Sequence, residues 1–340
     1  MSAAPETPEV PETPPPSAPR PAAGKLIAVV LGLTALVVAM LLAFALPAVN
    51  GGPQDIPIGV TGPARATAGL ERATAGTEWE VTRYGDAAEL AAAVEDREIV
   101  GGIAVTPSGV TLYQATAAAP QAAAALTAMA TGAAERGQVP LTVEDLAPFP
   151  ADDPRGTGFA AAALPMVFGG IVPAIVLARL FPARTGLRLA GAALFSVAAG
   201  FAVAATLQFG IGSLAGDYWV NALGLSLGIA AIALTLLGLE AVFGLPGFGL
   251  GAALMMLLAN PLSGFATGPH WLPGGWSDLG QLLPPGASGS LLRANAFFDG
   301  TGAAGPALVL AGWVVLGTAL LLAGGHRRNT RAARAETTAA

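Results

Sequence analysis

Long apolar runs separated by polar loops dominate the chain. The first extends from Leu26 to Val49 without a charge. Five more lie at 159–178, 189–208, 219–239, 241–259 and 305–325. A helix needs about 20 apolar residues to cross a hydrocarbon core about 30 Å thick. We therefore predict an all-α polytopic membrane protein with six transmembrane helices, the first at 25–49 and the other five in a membrane domain at 158–325.

The two ends of the chain are polar. Residues 1–24 are rich in proline, alanine, threonine and glutamate, a composition that predicts a disordered cytoplasmic tail. Residues 326–340 form a basic tail, which we also predict to be cytoplasmic. Ala43-Phe44-Ala45 resembles a signal-peptidase site, but the first apolar run exceeds the roughly 7 to 15 residues of a cleaved signal peptide. An uncleaved signal anchor is the prediction.

Hydrophobicity falls over residues 50–157, where short β-rich stretches alternate with helical ones. Strands are predicted at 56–60, 80–82, 102–105 and 110–113, with a turn at 107–109. Asp86 and Glu89 form a capping box that predicts a helix at 87–95, and Pro120 suits the first turn of another helix. We expect a small α/β domain inserted between spans one and two.

Positive residues mark one side of the membrane. Lys and Arg flank the apolar runs at Arg20, Lys25, Arg179, Arg184, Arg188, Arg327, Arg328, Arg331 and Arg334. The cytoplasmic loops of membrane proteins are enriched in Lys and Arg. We therefore predict that the protein lies in the cell membrane with both termini and the 179–188 loop in the cytoplasm. The 50–157 domain would then be extracytoplasmic. Its six arginines and 14 acidic residues give a net charge of −8, which argues against binding to nucleic acid or anionic lipid.

Composition and motifs exclude several activities. The 340 residues are 54% hydrophobic and 11% charged, against about 25% charged in soluble domains. Cysteine is absent, and the one lysine, Lys25, is followed by leucine and cannot complete a Walker motif. The two histidines, His270 and His326, lack the spacing of metal ligands. We predict no enzyme, metal or cofactor in this chain, so that any ATP hydrolysis would belong to a partner subunit.

Charged residues avoid the middle of every predicted span. Glu240 falls in the hairpin turn between the fourth and fifth spans, and Asp217 lies just outside the fourth. A charge at the bilayer centre costs several kcal/mol, so charged groups inside spans would mark an ion path. Their absence disfavours a proton-coupled carrier. Glu240 has either an interfacial or a functional role.

Two loops are more apolar than ordinary loops. Residues 180–188 mix bulky apolar and cationic side chains, and either dock a cytosolic subunit or only satisfy the positive-inside rule. Residues 260–304 hold five prolines. Within them, 279–292 is interrupted by Pro284-Pro285-Gly286 and is too short to cross, which predicts a re-entrant or interfacial extracellular hairpin.

This arrangement resembles the permease subunit of ABC-2 type exporters, in the branch with a large extracytoplasmic domain between the first and second spans, which includes the YhgE and phage-infection-protein-like membrane proteins. The likeness rests on the sequences at 96–103, 164–170, 260–264, 283–287 and 297–300. It implies that the loop with Arg179, Phe181, Arg184 and Arg188 couples to a separate ABC ATPase. It also implies a re-entrant segment that contains Asn260, Pro261, Pro284, Pro285, Gly286, Arg293 and Asp299.

Two functions follow as expectations. The resemblance implies a permease-like subunit, working as a homo- or heterodimer in membrane lipid, that exports an amphipathic or lipid-like substrate with energy from a separate ATPase. The alternative is a non-transporting envelope protein whose extracytoplasmic domain binds a surface partner while the helices anchor it.

Overall fold

The computed structural model describes residues 22–49, 52, 55–76, 79–272 and 275–339. These residues are mostly helical, in eleven α-helices: α1 (Ala22–Val49), α2 (Ala64–Thr74), α3 (Ala87–Glu95), α4 (Pro120–Gly137), α5 (Thr157–Ala161), α6 (Ala163–Leu180), α7 (Thr185–Ala205), α8 (Tyr218–Ala253), α9 (Trp276–Gln281), α10 (Pro284–Phe297) and α11 (Ala304–Ala339). Residues up to Leu42 form one unit and those from Ala43 form another. Most of the tail predicted at 1–24 lies outside the described residues.

A sheet lies between α1 and α5 in the chain. Its described strands are β1 (Ile56–Thr61), β2 (Trp79–Arg83), β3 (Gly101–Thr106), β4 (Gly109–Gln114) and β5 (Leu141–Asp145), in the order β2-β1-β3-β4-β5. Neighbours pair in parallel except β3 and β4, which form the hairpin predicted from sequence. The first four strands confirm the prediction. The edge strand β5 was not predicted, since Leu141-Thr142-Val143-Glu144-Asp145 is short and partly acidic.

The capping box predicted for α3 is confirmed. Asp86 Oδ1 accepts a hydrogen bond from the Glu89 amide at 2.8 Å, and Glu89 Oε2 accepts one from the Gly85 amide at 2.8 Å. These contacts satisfy amide donors that have no partner inside the helix. The capped helix then buries Leu90 and Val94 against the sheet. Helix α2, by contrast, was not predicted.

Five stretches of the described chain are long and apolar enough to cross a membrane, which is compatible with a multi-pass membrane protein. They cover 24–46, 157–180, 185–211, 218–259 and 304–328. The sequence predicted six, because it divided the fourth stretch at residues 239–241. Helix α11 also continues through the segment expected to be a basic tail.

The chain reverses direction inside that fourth stretch, at Gly244. Its φ of 70° and ψ of −158° belong to a region that essentially only glycine occupies. A Cβ placed on Gly251 would lie 2.6 Å from Leu239 Cδ1 and 2.8 Å from Leu236 Cδ2. In one straight helix, residues that far apart in sequence would be separated by about 18 to 22 Å. The segment after Gly244 therefore folds back on the segment before it. The predicted turn at 239–241 was wrong, because those residues remain helical and the positive φ is supplied only at Gly244.

The part of α8 before Gly244 is the centre of the helical bundle. It is buried on almost every side, with α6, α7, α10 and α11 around it. Close approach depends on small residues: a Cβ on Gly317 of α11 would meet the Leu234 backbone at 2.5 Å, and one on Gly200 of α7 would meet the Ser226 amide nitrogen at 2.5 Å. Helices pack this closely only where side chains are minimal.

Candidate functional site

Two ends of the bundle carry the candidate residues. At the first, the loop between α6 and α7, the reversal at Gly244 and α11 near Arg328 meet, and we call it the loop end. At the second, α9 and α10 insert beside the start of α8, and we call it the hairpin end. Each end is organised by one arginine that is almost fully buried, Arg188 at the loop end and Arg293 at the hairpin end.

Arg188 fixes the path of the loop between α6 and α7. Its Nε donates to the Phe181 carbonyl at 2.7 Å, and its Nη2 donates to the carbonyls of Ala178 at 2.9 Å and Pro182 at 3.0 Å. These are carbonyls at the C-terminal end of α6, where acceptors lack helical partners. The side chain is only 2% exposed. Arg188 thus lies inside the protein and offers no charge to a docking partner.

Glu240 joins Arg188 to α11. Its Oε2 accepts from Arg188 Nη1 at 2.6 Å and from Arg328 Nη2 at 3.2 Å. Arg328 also donates to the carbonyl oxygens of Glu240 and Pro182, at 3.3 and 3.2 Å. A carboxylate with two guanidinium partners therefore ties α7, α8, α11 and the loop together. Glu240 was predicted to have an interfacial or a functional role, and its side chain is 17% exposed.

Other predicted residues of the loop face outward. Arg179 and Arg184 are exposed, Phe181 is half-buried, and Leu180 is 66% exposed. The four residues expected to form a coupling loop therefore lie close together, but they differ in exposure. Arg179, Phe181 and Arg184 lie at the surface, and Arg188 holds the loop from inside.

At the hairpin end, α9 and α10 form two arms with a break at Leu282 and Leu283. The stretch 279–292, predicted to be interrupted at Pro284-Pro285-Gly286, is interrupted directly before these residues, and the two prolines occupy the first turn of α10, where a missing N–H costs nothing. The carbonyl of Leu282, at the tip, accepts from the Trp313 indole nitrogen at 2.9 Å.

The hairpin reaches deep into the bundle. Ala287, near the start of α10, packs in one cluster with Ala231 of α8, about 20 Å along α8 from Tyr218. At the other end of α10, a Cβ on Gly216 would meet the Asn295 carbonyl at 2.7 Å. Residues 284–296 are all buried. A helix that starts at this depth and returns to the same end has the path expected of a re-entrant segment.

Arg293 connects this hairpin to the sheet region. Its Nε donates to the Ala117 carbonyl at 2.7 Å, and its Nη2 donates to the carbonyls of Phe265 at 2.9 Å and Gly264 at 3.4 Å. The guanidinium lies over the Phe159 ring, 4.9 Å from its centroid. Backbone dipoles and a ring face therefore surround this charge.

The remaining predicted residues of the segment do not gather around Arg293. Asp299 is exposed after α10 with a φ of 47°. Gly286 packs against the Gly280 carbonyl, where any side chain would collide. Asn260 and Pro261 line a cavity of about 410 Å³, and within the described residues the buried Asn260 Oδ1 has no hydrogen-bond partner.

Sequence reasoning missed Asp153, which caps the entry to the second apolar stretch. Its carboxylate accepts from the backbone amides of Thr157 and Gly158 and from the Thr157 hydroxyl, each at 2.8 Å. Burial alone raises its pKa, but the Thr157 hydroxyl and these amides outweigh burial and hold the pKa of Asp153 below its ordinary value. An Asp four residues ahead of a Thr at the start of an apolar run was the available signal.

No family model, curated protein or solved structure matches this chain. Function must therefore be inferred from the residues themselves.

Proposed function

We propose that this chain spans the cell membrane six times and serves as the permease-like subunit of an ABC-2 type exporter. Both termini lie in the cytoplasm and the sheet region lies outside it. A separate ATPase docks at the loop end, and the assembled homo- or heterodimer moves an amphipathic or lipid-like substrate.

The reversal at Gly244 supports six spans, since it divides the fourth apolar stretch into two antiparallel arms. The outer faces of the bundle support a lipid environment. Leu194, Phe209, Leu250 and Leu308 are 71–75% exposed. Water disfavours large exposed apolar patches, whereas lipid accepts them.

The charges support the orientation. Arg179, Arg184 and Arg327 are exposed at the loop end, where the positive-inside rule requires cytoplasm. The sheet region contacts the hairpin end through Arg293, so it lies on the other side of the bundle. Its acidic composition fits the outer face.

The observation that carries the proposal is the stiff connection of the α6–α7 loop to three other helices. Arg188, Glu240 and Arg328 join the loop to α7, α8 and α11. A protein that pushed on Arg179, Leu180 and Arg184 would therefore move the bundle as a unit. Motion passed from a separate motor to membrane helices needs such a contact, whereas a simple anchor does not.

Copurification in a mild detergent tests the proposal. The wild-type chain should recover a protein with a Walker A motif and ATPase activity in a fixed ratio. The double variant Arg179→Glu/Arg184→Glu should lose it, because two outward positive charges become negative. Both positions are exposed, so the variant should remain folded.

Arg136→Glu, an exposed charge reversal on the sheet region, is the matched control and should retain the ATPase. Recovery of the chain without any ATPase, or retention of the ATPase by the double variant, would contradict the proposal. The first result would favour the non-transporting envelope protein.

A further inference from the structure

A groove of about 690 Å³ lies on one face of the sheet region, between α2, α4 and the β3–β4 hairpin. Both helices pack on that face, where Leu70 of α2 and Ala130 and Ala134 of α4 share one apolar core with the strands. A Cβ added to Gly69 of α2 would meet no described atom outside its own helix within 4 Å, so α4 does not close against α2 at this position. The volume is in the range of about 300 to 1,000 Å³ that small-molecule sites occupy.

The groove has an apolar floor that a ligand can reach. Val105 of β3, Ala133 of α4 and Val139 all line it, and each of these side chains is half-buried. The Thr106 hydroxyl also lies at the groove, but it already donates to the Gly109 carbonyl at 3.0 Å. Covering this floor with hydrocarbon removes apolar surface from water, which is favourable.

Two arginines border the floor from opposite sides. Arg72 Nε donates to the Ala68 carbonyl at 2.9 Å, which holds the side chain along α2 and leaves both of its Nη nitrogens without a partner in the described chain. Arg136 of α4 has no hydrogen bond or ion pair within the same residues, and its Nη1 lies 3.7 Å from a Cβ placed on Gly132. Both arginines are exposed, so their free N–H groups are accessible to a ligand.

The charge of the lining selects a negative ligand. None of its described side chains is acidic. Glu71 and Glu135 adjoin the two arginines in sequence but do not line the groove, and Glu71 is paired with Arg83 at 2.6 Å. Residues 50–157 carry a net charge of −8, yet charges farther away than about 8 Å are largely screened at physiological ionic strength. The groove is therefore locally positive within an acidic region.

The geometry of guanidinium groups narrows the ligand further. Their planar N–H groups match the oxygens of a carboxylate or a phosphate, and such charge-assisted hydrogen bonds are stronger than neutral ones. An ammonium would be repelled by both arginines, and an alcohol would gain only neutral hydrogen bonds. A small ion without an apolar part would leave the floor of the groove uncovered.

We propose that this groove binds an amphipathic anion. Arg72 and Arg136 hold its carboxylate or phosphate head, and Val105, Ala133 and Val139 contact its apolar body. A medium-chain fatty acid and an alkyl phosphate share this chemistry. The inference gives the sheet region a ligand of its own and goes beyond the proposed function, because it uses neither the helical bundle nor the side of the membrane on which the sheet region lies.

Photoaffinity labelling of the full chain in a maltoside detergent tests this inference. The probes are dodecanoate, dodecyl phosphate, dodecanol and dodecylamine, each with the same diazirine in its alkyl chain. At about pH 8 the carboxylate is ionised and the amine is protonated. Mass spectrometry maps the labelled peptides, and the ratio of label on residues 64–72 and 133–139 to label on α7 corrects for uptake of each probe by the micelle.

This ratio should be about tenfold higher for at least one of the two anions than for the alcohol or the amine, the difference that roughly one charge-assisted hydrogen bond provides. Preference for dodecanoate alone or for dodecyl phosphate alone would identify the head group. The double variant Arg72→Gln/Arg136→Gln should lower the ratio for the anions to that of the alcohol, because the apolar floor remains.

Two further variants separate binding from folding. Arg65→Gln/Arg155→Gln removes the same two charges from exposed positions that do not line the groove, and it should retain the preference for anions. Gly69→Leu fills the groove from α2 and should reduce labelling of the groove by all four probes. Its Cβ has free space and leucine favours a helix more than glycine does, so this variant should remain folded.

Equal ratios for the four probes, or an undiminished preference for anions in Arg72→Gln/Arg136→Gln, would overturn the inference. Neither result depends on an ATPase or on the orientation of the chain in the membrane. Failure of this inference is therefore distinct from failure of the proposed function.

Discussion

The two ends of the bundle bury one arginine each and stabilise it differently. Arg188 at the loop end has a carboxylate partner at 2.6 Å, and a second arginine shares that carboxylate. Arg293 at the hairpin end has three backbone carbonyls and the Phe159 ring. The loop end therefore depends on charge balance between helices, whereas the hairpin end depends on the position of the backbone. A change of charge should therefore destabilise the loop end, whereas the hairpin end should be destabilised by a change in the geometry of its contacts.

Removing the carboxylate should produce the largest effect. Glu240→Leu leaves Arg188 buried without its counter-charge, and breaking a buried pair costs about 3–5 kcal/mol. Equilibrium unfolding in mixed micelles with increasing SDS measures the change. The double variant Arg188→Met/Glu240→Leu should recover most of the loss, because an apolar pair replaces the ion pair. If the double variant is no more stable than Glu240→Leu, charge balance is not what holds the loop end.

The hairpin end should respond to the geometry of the donor group. Arg293→Lys cannot reach the Ala117, Gly264 and Phe265 carbonyls together, so we expect a loss of about 2–3 kcal/mol. The same unfolding assay applies. An unchanged free energy of unfolding would mean that charge alone matters at this end, and would erase the contrast with Arg188.

The turn at Gly244 should be destabilised by any side chain at that position. Gly244→Ala places a Cβ in a backbone region that alanine avoids, at a cost of about 1–3 kcal/mol. Gly249→Ala is the matched control, since no atom lies within 4 Å of its added Cβ and the site is helical, and it should stabilise by about 0.5–1 kcal/mol. Equal effects in unfolding would argue against a turn at Gly244.

At the start of the second apolar stretch, Asp153→Asn removes the negative charge and one of two acceptor oxygens, and the weaker hydrogen bonds should cost about 1 kcal/mol at neutral pH. The lowered pKa of Asp153 means that its stabilisation is complete above about pH 4 and is lost as the pH falls through the folded-state value. Unfolding measured from pH 6 to 3 should therefore show a smaller acid destabilisation in the variant. An identical pH profile would contradict the role of the charge.

The smallest effect on stability should come from the exposed charges of the loop. Arg184→Glu changes a residue that is exposed, so the free energy of unfolding should move by less than about 0.5 kcal/mol. A larger loss would place Arg184 with Arg188 in holding the loop, instead of at a docking surface.

Local rules predicted much of the fold. The apolar runs predicted the long helices, and the short β-rich stretches predicted β1 to β4. Asp86 and Glu89 predicted the start of α3. Each of these signals lies within one short segment of the sequence. The turn at Gly244 escaped prediction, since Glu240 suggested an exit to water. The Glu240 carboxylate is stabilised inside the protein by Arg188 and Arg328, which lie on other helices far away in the sequence.

The candidate site was predictable in position but not in role. Arginines 179, 184 and 188 look alike in sequence, and tertiary packing alone distinguishes the buried one. The proline pair at 284 and 285 marked an unusual segment, yet sequence could not tell a helix break from a helix start. Asn260 gave no signal, because an unmatched acceptor exists only once its surroundings are fixed.

The paired prolines at the deep end of α10 reduce the number of unmatched amides at that helix start. A helix that starts inside hydrocarbon exposes donors that cannot reach water, and each one left unmatched costs several kcal/mol. Of the first three helical positions only Gly286 carries an N–H, and the Leu283 amide just before them donates to the Gly280 carbonyl at 3.2 Å. A helix that begins with two prolines therefore leaves few amide donors to satisfy at its buried end.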